Sequence, residues 1–157
     1  MNTDIIAQYW QAYLDSLPPD SPVRAERYMV ERFGDSAEMA DELGSLVVQG
    51  IKTATCSSLW EWQAEGNPLP EAGLKTIVLN GWGEPWCIIE TVEIMIRPFN
   101  EVDAQFAYEE GEGDRSLAYW REAHRRFFSR SLPRIGRSFD ETMPLVCERF
   151  RVIYRGE

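Results

Sequence analysis

The segment "QGIKTATCSSLWEW", residues 49–62, places an amine, several hydroxyls and large aromatic rings close together. A Lys amine can activate a nearby Thr hydroxyl as a nucleophile when desolvation lowers the pKa of the amine. Lys52 and Thr55 would share one side of a helical turn but opposite faces of a straight strand, and a bend after Gly50 would also bring them together. The local pattern alone favours a structural alternative, in which Lys52 complements the dipole at a helix C-terminus.

The segment "YEEGEGD", residues 108–114, is a second candidate because it interleaves four carboxylates with two glycines. Its spacing lacks the alternating acidic pattern of a calcium-binding loop. One interpretation is an acidic, solvated loop in which Asp114 caps the helix that follows. The other is that the backbone freedom of Gly111 and Gly113 aims a carboxylate inward.

Metal and cofactor chemistry is not indicated by the remaining reactive residues. The chain has one histidine and three cysteines, with no C-x-x-C pair, so we expect no metal site. His124 has apolar neighbours at helical spacing, which favours a half-buried core histidine over a catalytic base. No phosphate-binding glycine motif is present, so no nucleotide cofactor is predicted.

The charge balance restricts the class of partner. The 157 residues include 16 Lys plus Arg and 26 Asp plus Glu, a net charge of -10. Such a surface disfavours long duplex DNA, although residues 121–137 hold six arginines. A small ligand or a short single strand fits this balance better. The sequence has neither a signal peptide pattern nor a membrane-spanning run, and its cysteines are read as reduced thiols, so we expect a cytoplasmic protein without membrane contact.

Hydrophobic periodicity and turn residues predict an α+β fold. Residues 3–15 read as an amphipathic helix, followed by a proline-rich linker at 17–22. A second helix begins after Asp35 or Ser36 and ends at Gly50, which we expect to be left-handed. We predict strands at residues 75–80, 86–94 and 145–154. A hairpin turn is predicted at residues 80–85 and a third helix at residues 114–130. This order predicts a small antiparallel sheet or barrel with helices around it.

These blocks together resemble the ASCH family. The sequence "GIKTAT" matches the family's G-x-K-x-x-T signature, and "CIIETVEI", "EGEGDRSLAYWREAH" and "CERFRVIY" follow in the family's order. The likeness to the longer-chain branch is the greatest. It implies a PUA-like small mixed or antiparallel β-barrel flanked by helices. The extra N-terminal helix and linker would occupy residues 1–22, and the ASCH domain residues 23–157.

The resemblance also implies a site in the barrel cleft. Small ASCH proteins deacetylate N4-acetylcytidine with a Lys, a Thr and a Glu, and Lys52 and Thr55 match the first two. The small enzymes carry A-x-x-E before their last helix, which matches Glu110 here, with Glu109 and Glu112 as alternatives. Four residues are candidates for contacting the substrate: Ser57 with its hydroxyl, Trp60 as an apolar wall, Glu109 and Arg115.

The resulting hypothesis is amide hydrolysis of a modified nucleoside. A neutral Lys52 would take a proton from Thr55 or from water, and the resulting oxygen would attack the amide carbonyl. Glu110 would orient Lys52 or pass a proton to the leaving amine. One alternative is an RNA-binding module or ribonuclease that uses the same cleft, and another is a non-catalytic partner-binding domain.

Overall fold

The computed structural model describes residues 3–156, a part of the chain that folds into five α-helices and five strands. The helices are α1 Thr3–Asp15, α2 Ala37–Val48, α3 Leu59–Glu65, α4 Ala104–Glu110 and α5 Leu117–Ser131. The strands are β1 Tyr28–Glu31, β2 Ala54–Ser58, β3 Lys75–Leu79, β4 Pro85–Pro98 and β5 Pro144–Tyr154. The predicted α+β class is therefore confirmed. No helix within residues 3–156 is both long enough and apolar enough to cross a bilayer.

The strands form one mixed sheet in the order β1-β3-β4-β5-β2. Strand β1 runs parallel to β3, and the other neighbouring pairs are antiparallel. The strand pairing does not close this sheet into the barrel that the resemblance implied, because β1 and β2, the two edge strands, do not pair in residues 3–156. Both edge strands are short, with 4 and 5 residues, whereas β4 and β5 in the middle of the sheet have 14 and 11.

The predicted boundaries of α2 and the position of the β3–β4 turn are confirmed, but β4 runs to Pro98 and not only to residue 94 as predicted. The side chain of Ser36 caps α2 by accepting a hydrogen bond from the Met39 amide at 3.1 Å. Gly50 follows the helix with a φ of 79°, in the left-handed region. Residues 80–84 connect β3 to β4, where the side chain of Asn80 accepts bonds from the amides of Trp82 and Glu84.

One predicted cap is wrong. Helix α5 is capped by Ser116, whose hydroxyl accepts a bond from the Tyr119 amide at 3.0 Å. Asp114 instead accepts a bond from the amide of Ser116 at 2.9 Å and fixes the turn before the helix. The cap moves because Arg115 has a φ of 65°, so the helical backbone starts only after Ser116.

Helix α1 packs on the sheet, away from the reactive residues. Its buried face consists of Ile6, Trp10, Tyr13 and Leu14, which contact Ile77 and Leu79 of β3 and Ile88 of β4. Lys52, Thr55 and Glu110 are not members of this cluster. The proposed division at residue 22 stays a prediction, and its outer limits, residues 1 and 157, lie outside the described residues.

Candidate active site

Lys52 is a buried lysine whose ammonium group contacts two carboxylates. Its side chain is 1% exposed, and Nζ lies 3.0 Å from Oε1 of Glu110 and 2.9 Å from Oε2 of Glu112. A third bond of 2.8 Å goes from Nζ to the carbonyl oxygen of Ala54. Because an ammonium group has three hydrogens, these contacts satisfy all of its donors.

Backbone contacts between two segments bring Lys52 and Glu110 together. After α2, the amides of Ile51 and Lys52 both donate to the carbonyl of Leu46, which curls the chain back at the helix end. The amide of Thr53 then donates to the carbonyl of Glu109 at 2.8 Å, so this turn is joined to the last turn of α4. Gly111 allows the close approach, because a Cβ there would lie 2.8 Å from the carbonyl oxygen of Ile51.

Glu110 is the central acceptor of the site and is 1% exposed. Its Oε2 accepts a bond of 2.9 Å from the indole Nε1 of Trp120. Its Oε1, which contacts Lys52, also lies 3.5 Å from Nε2 of His124. The resemblance to the family left Glu109, Glu110 and Glu112 open, and the structure brings Glu110 and Glu112 to Lys52.

The charges of this cluster stabilise one another. Burial would lower the pKa of Lys52, but the carboxylates of Glu110 and Glu112 outweigh it, so this pKa is raised. Burial would raise the pKa of Glu110, but Lys52 and His124 outweigh it, so this pKa is well below its usual range. Lys52 is thus an ammonium in this arrangement. The hypothesis of a neutral Lys52 that accepts the first proton does not fit it, because two carboxylates outweigh desolvation.

His124 belongs to this cluster, although the sequence analysis assigned it to the core. Its ring stacks on Trp120 with centroids 4.2 Å apart, and its Nδ1 lies 2.8 Å from the carbonyl oxygen of Trp120. The side chain is 12% exposed and lines the same cavity as Lys52. The apolar neighbours that suggested a core position are real, but they hold the ring against a buried carboxylate. No local signal in α5 reveals this, because Glu110 lies on another helix.

A cavity of about 230 Å³ opens over the cluster. Its polar lining includes Lys52, Thr55, Glu110, Glu112 and His124, with Glu42, Arg126 and Arg130 further along the wall. Its apolar lining includes Phe33, Met39, Leu43, Leu46, Tyr119 and Phe127. Lys52 and Thr55 therefore face one cavity, as the bend after Gly50 allowed.

The residues expected to contact the substrate lie outside the cavity lining. Ser57 accepts a bond of 2.8 Å from the indole of Trp62. Trp60 packs on the core under the guanidinium of Arg137, whose Cζ is 4.3 Å from the ring centroid. Two further candidates are held by other partners: Glu109 by Arg149 at 2.6 Å, and Arg115 by the ring of Tyr108 at 3.7 Å.

The cavity is lined by aromatic residues other than Trp60, and the sequence analysis did not identify them as site residues. Phe33 follows the edge strand β1, while Tyr119 and Phe127 lie on α5. The spacing of eight residues between the latter two is a helical repeat and was the only available signal. It could not show that this face lines a cavity.

Within the described part of the chain, Cys56, Glu110 and His124 bring together three side chains of types that can ligate a metal. One ligand atom from each lies within 4.8 Å of the others. Zinc binds thiolate rather than thiol, and burial together with the neighbouring Glu110 raises the pKa of the Cys56 thiol, so this set does not fit a zinc site well. The ammonium of Lys52 already supplies a positive charge at Oε1 of Glu110.

Comparison with known proteins agrees with this fold. The family model described as ASCH domain matches residues 28–154, and the chain belongs to this family. The ASCH domain structure from Lactobacillus crispatus JV V101 is 35% identical, with a TM-score of 0.91 over 97% of this chain and 96% of that one. Protein EF3133 from Enterococcus faecalis V583 is 40% identical, with a TM-score of 0.85 over 98% and 91%. The search of curated proteins found no match.

Proposed function

We propose that this ASCH protein hydrolyses the amide bond of an acylated nucleoside such as N4-acetylcytidine. The observation that carries the proposal is the cluster of Lys52, Glu110, Glu112 and His124 on a cavity that Thr55 also lines. Buried charged groups at the wall of a concave site are typical of catalytic centres.

The cavity has the chemistry that a modified base requires. Phe33, Tyr119 and Phe127 line the cavity beside its polar groups, and recognition of a planar base uses both aromatic surface and hydrogen bonds to the base edge. A volume of about 230 Å³ suits a base with a small acyl group better than a polymer. The free thiols of Cys56, Cys87 and Cys147 fit the reducing cytoplasm that we propose as its location.

In the proposed reaction, the oxygen of Thr55 or of a water molecule forms a bond to the amide carbon. The proton of that oxygen passes to the carboxylate of Glu112, whose side chain is 18% exposed and therefore more accessible than that of Glu110. The ammonium of Lys52 stabilises the negative charge that develops on the carbonyl oxygen. The bond from carbon to nitrogen then breaks, and the leaving amine takes up a proton. When water attacks, the carboxylic acid is released in this step. When Thr55 attacks, the acyl group remains as an ester on Thr55, and a water molecule then hydrolyses this ester, which releases the carboxylic acid and restores the hydroxyl.

The test is chromatography of a panel of acylated nucleosides incubated with the purified protein. We expect release of the free nucleoside, and a loss of at least about 100-fold in kcat for Lys52→Ala, since one stabilising donor is worth about that factor. Ser57→Ala is the control, because Ser57 bonds to Trp62 away from the cavity, and it should retain activity within about twofold. The absence of turnover for every acylated nucleoside in the panel would refute the proposal.

A second candidate function is binding or cleavage of a short RNA, which Arg126 and Arg130 at the cavity wall favour. Each phosphate contact with single-stranded RNA would add about 0.7 to the slope of log affinity against log salt. Binding of a bare nucleoside would give a slope near zero. A steep slope together with no amide hydrolysis would select the RNA function.

A further inference from the structure

We propose that His124 is the acid that protonates the leaving amine, an inference that rests on the amide hydrolysis proposed above. Amide cleavage requires this proton, because an amine anion is a poor leaving group. The family resemblance indicated only a Lys, a Thr and a Glu, and the geometry of this site adds the imidazole of His124.

The hydrogen bonds of His124 determine which nitrogen can deliver a proton. The carbonyl of Trp120 only accepts hydrogen bonds, so the contact of 2.8 Å places a hydrogen on Nδ1. The proton that comes and goes is therefore the one on Nε2. This nitrogen lies 3.5 Å from Oε1 of Glu110, the same oxygen that contacts Lys52, and His124 lines the cavity. Stacking on Trp120 holds the ring in this orientation.

The surroundings of His124 favour its protonated form. Burial would lower the pKa of the imidazole, but the carboxylate of Glu110 outweighs it, with help from Glu112 and the Trp120 carbonyl, and the pKa is raised above 6.5. The titratable or charged groups near the ring or along the same cavity come from several elements: Glu110 at the end of α4, Glu112 after it, Lys52 before β2, Cys56 on β2, Glu42 on α2, and Arg126 and Arg130 on α5 itself.

The other buried members of the cluster are poor proton donors at neutral pH. Glu110 is ionised, since Lys52 and His124 overcome its burial and lower its pKa, and it accepts bonds from Lys52 and Trp120. Lys52 holds its proton tightly, because the two carboxylates raise its pKa despite burial. The thiol of Cys56 has a raised pKa owing to burial and to the neighbouring Glu110. His124 lines the cavity and the carboxylate of Glu110 favours its protonated form, so it is the member of this group that we assign as the acid.

In the proposed step, the bond between the carbonyl carbon and the amine nitrogen breaks and its electrons move to that nitrogen. The proton on Nε2 of His124 forms the new N–H bond, which leaves His124 neutral. Glu112 carries the proton that the attacking oxygen released. Transfer of that proton to His124 through solvent restores both groups, so protons and charge balance over the cycle.

The first test is the pH dependence of kcat for N4-acetylcytidine in the wild type and in His124→Asn. Asn keeps a donor near the position of Nδ1 but has no titrating proton. We expect the wild-type kcat to fall as the pH rises through the pKa of His124, and the variant to lose at least about 100-fold in kcat together with this alkaline limb. Arg121→Gln, an exposed change on α5, is the control and should match the wild type.

Imidazole rescue and NMR keep the test valid if the Asn variant folds poorly. Added imidazole should restore part of the activity of His124→Gly, because it can supply the missing acid from solution. His124 is the only histidine in the chain, so its ring signal in the wild type is unambiguous, and we expect it to titrate above pH 6.5. Titration below pH 6.5 would overturn the inference whatever the variants do.

The outcomes separate this inference from the proposed function. A kcat of His124→Asn within threefold of the wild type, with the alkaline limb intact, would overturn the role of His124 and leave the amide hydrolysis standing. A wild type without turnover would instead refute the amide hydrolysis and this step with it. Loss of activity on chelation and its return with zinc would show that His124 acts as a metal ligand with Cys56 and Glu110, which also overturns the inference.

Discussion

At the residue scale, Lys52 is a buried cation, and one of its two carboxylate partners is buried as well. Glu110 is as buried as Lys52, with 1% of each side chain exposed. Removing one member of a buried pair leaves the other charge uncompensated, which costs about 3–5 kcal/mol. We therefore expect Lys52→Met to lower the free energy of unfolding in urea by about that amount.

Lys75 offers a matched control for this change. It is also a buried lysine between two carboxylates, but its partners Glu26 and Glu90 are 39% and 19% exposed. These carboxylates can be hydrated once the lysine is gone, so Lys75→Met should cost clearly less than Lys52→Met. Equal losses for the two variants would show that the burial of Glu110 does not determine the stability of the pair.

The pKa of Glu110 gives a second residue-scale prediction, for stability at acid pH. Its folded-state pKa lies below the ordinary value of 4.5, because the charges of Lys52 and His124 overcome the effect of burial. The contribution of Glu110 is therefore fully present above pH 4.5 and is lost as the pH falls through the folded-state pKa. We expect the free energy of unfolding to decline below pH 4.5, with a shallower decline in Glu110→Gln. Identical slopes would contradict the assignment.

The contrast between Lys52 and His124 shows which residue roles the sequence could predict. The pairing of Lys52 with Thr55 follows from a short motif, so it could be predicted from the sequence. The role of His124 depends on Glu110, which is 14 positions earlier and on a different helix, and no local pattern reports that contact. The charged state of Lys52 could not be predicted from the sequence either, because it depends on two carboxylates that only the fold brings close.

At the scale of elements, the sequence predicted long amphipathic helices and missed short ones. Helices α1, α2 and α5 have 12 to 15 residues and show a clear repeat. Helix α4 has 7 residues, too few for a periodic pattern, so the sequence left its acidic end open between a solvated loop and an inward-facing carboxylate. Its boundaries were nevertheless present as a cap at Asp103, which accepts from the Phe106 amide at 2.9 Å, and as the glycine at 111.

The end of α4 gives a prediction at this scale, because it joins two parts of the site. Gly111 has a φ of 74°, and a Cβ there would lie 2.8 Å from a backbone oxygen. Since that oxygen belongs to Ile51, next to Lys52, relief of the clash must move the turn that carries Lys52 away from Glu110. Gly111→Ala should therefore lower both the free energy of unfolding and kcat.

Gly66 is the matched control, since it ends α3 with a φ of 71° and has open space where a Cβ would lie. Gly66→Ala should show only the backbone cost of a left-handed alanine, about 1–2 kcal/mol, with normal kcat. Urea unfolding and nucleoside hydrolysis on both variants provide the comparison. If the two variants lose the same stability and both remain active, the close approach to Ile51 does not position the site.

At the scale of the whole molecule, the hydrophobic core is divided into clusters that join different sets of elements. One cluster joins α4 and α5 to β2 and β5, and includes Phe106, Trp120 and Cys147. Another joins α1 to β3 and β4. The amphipathic pattern of residues 3–15 predicted that α1 has an apolar face to bury. The sequence could not predict that the sheet stays open, since that depends on pairing between edges distant in the chain.

This division predicts that α1 stabilises the fold without taking part in the chemistry. Trp10 is 7% exposed and stacks on Tyr28 with ring centroids 4.5 Å apart. Trp10→Ala should lower the free energy of unfolding by about 3–5 kcal/mol, because it removes a buried aromatic ring and leaves a cavity. The kcat for a nucleoside substrate at a temperature where the variant is folded should match the wild type.

Trp82, at 84% exposure, is the control, and the free energy of unfolding of Trp82→Ala should stay within about 0.5 kcal/mol of the wild type. A folded Trp10→Ala protein with a greatly reduced kcat would show that α1 and the cavity are coupled, contrary to the separation of the two clusters.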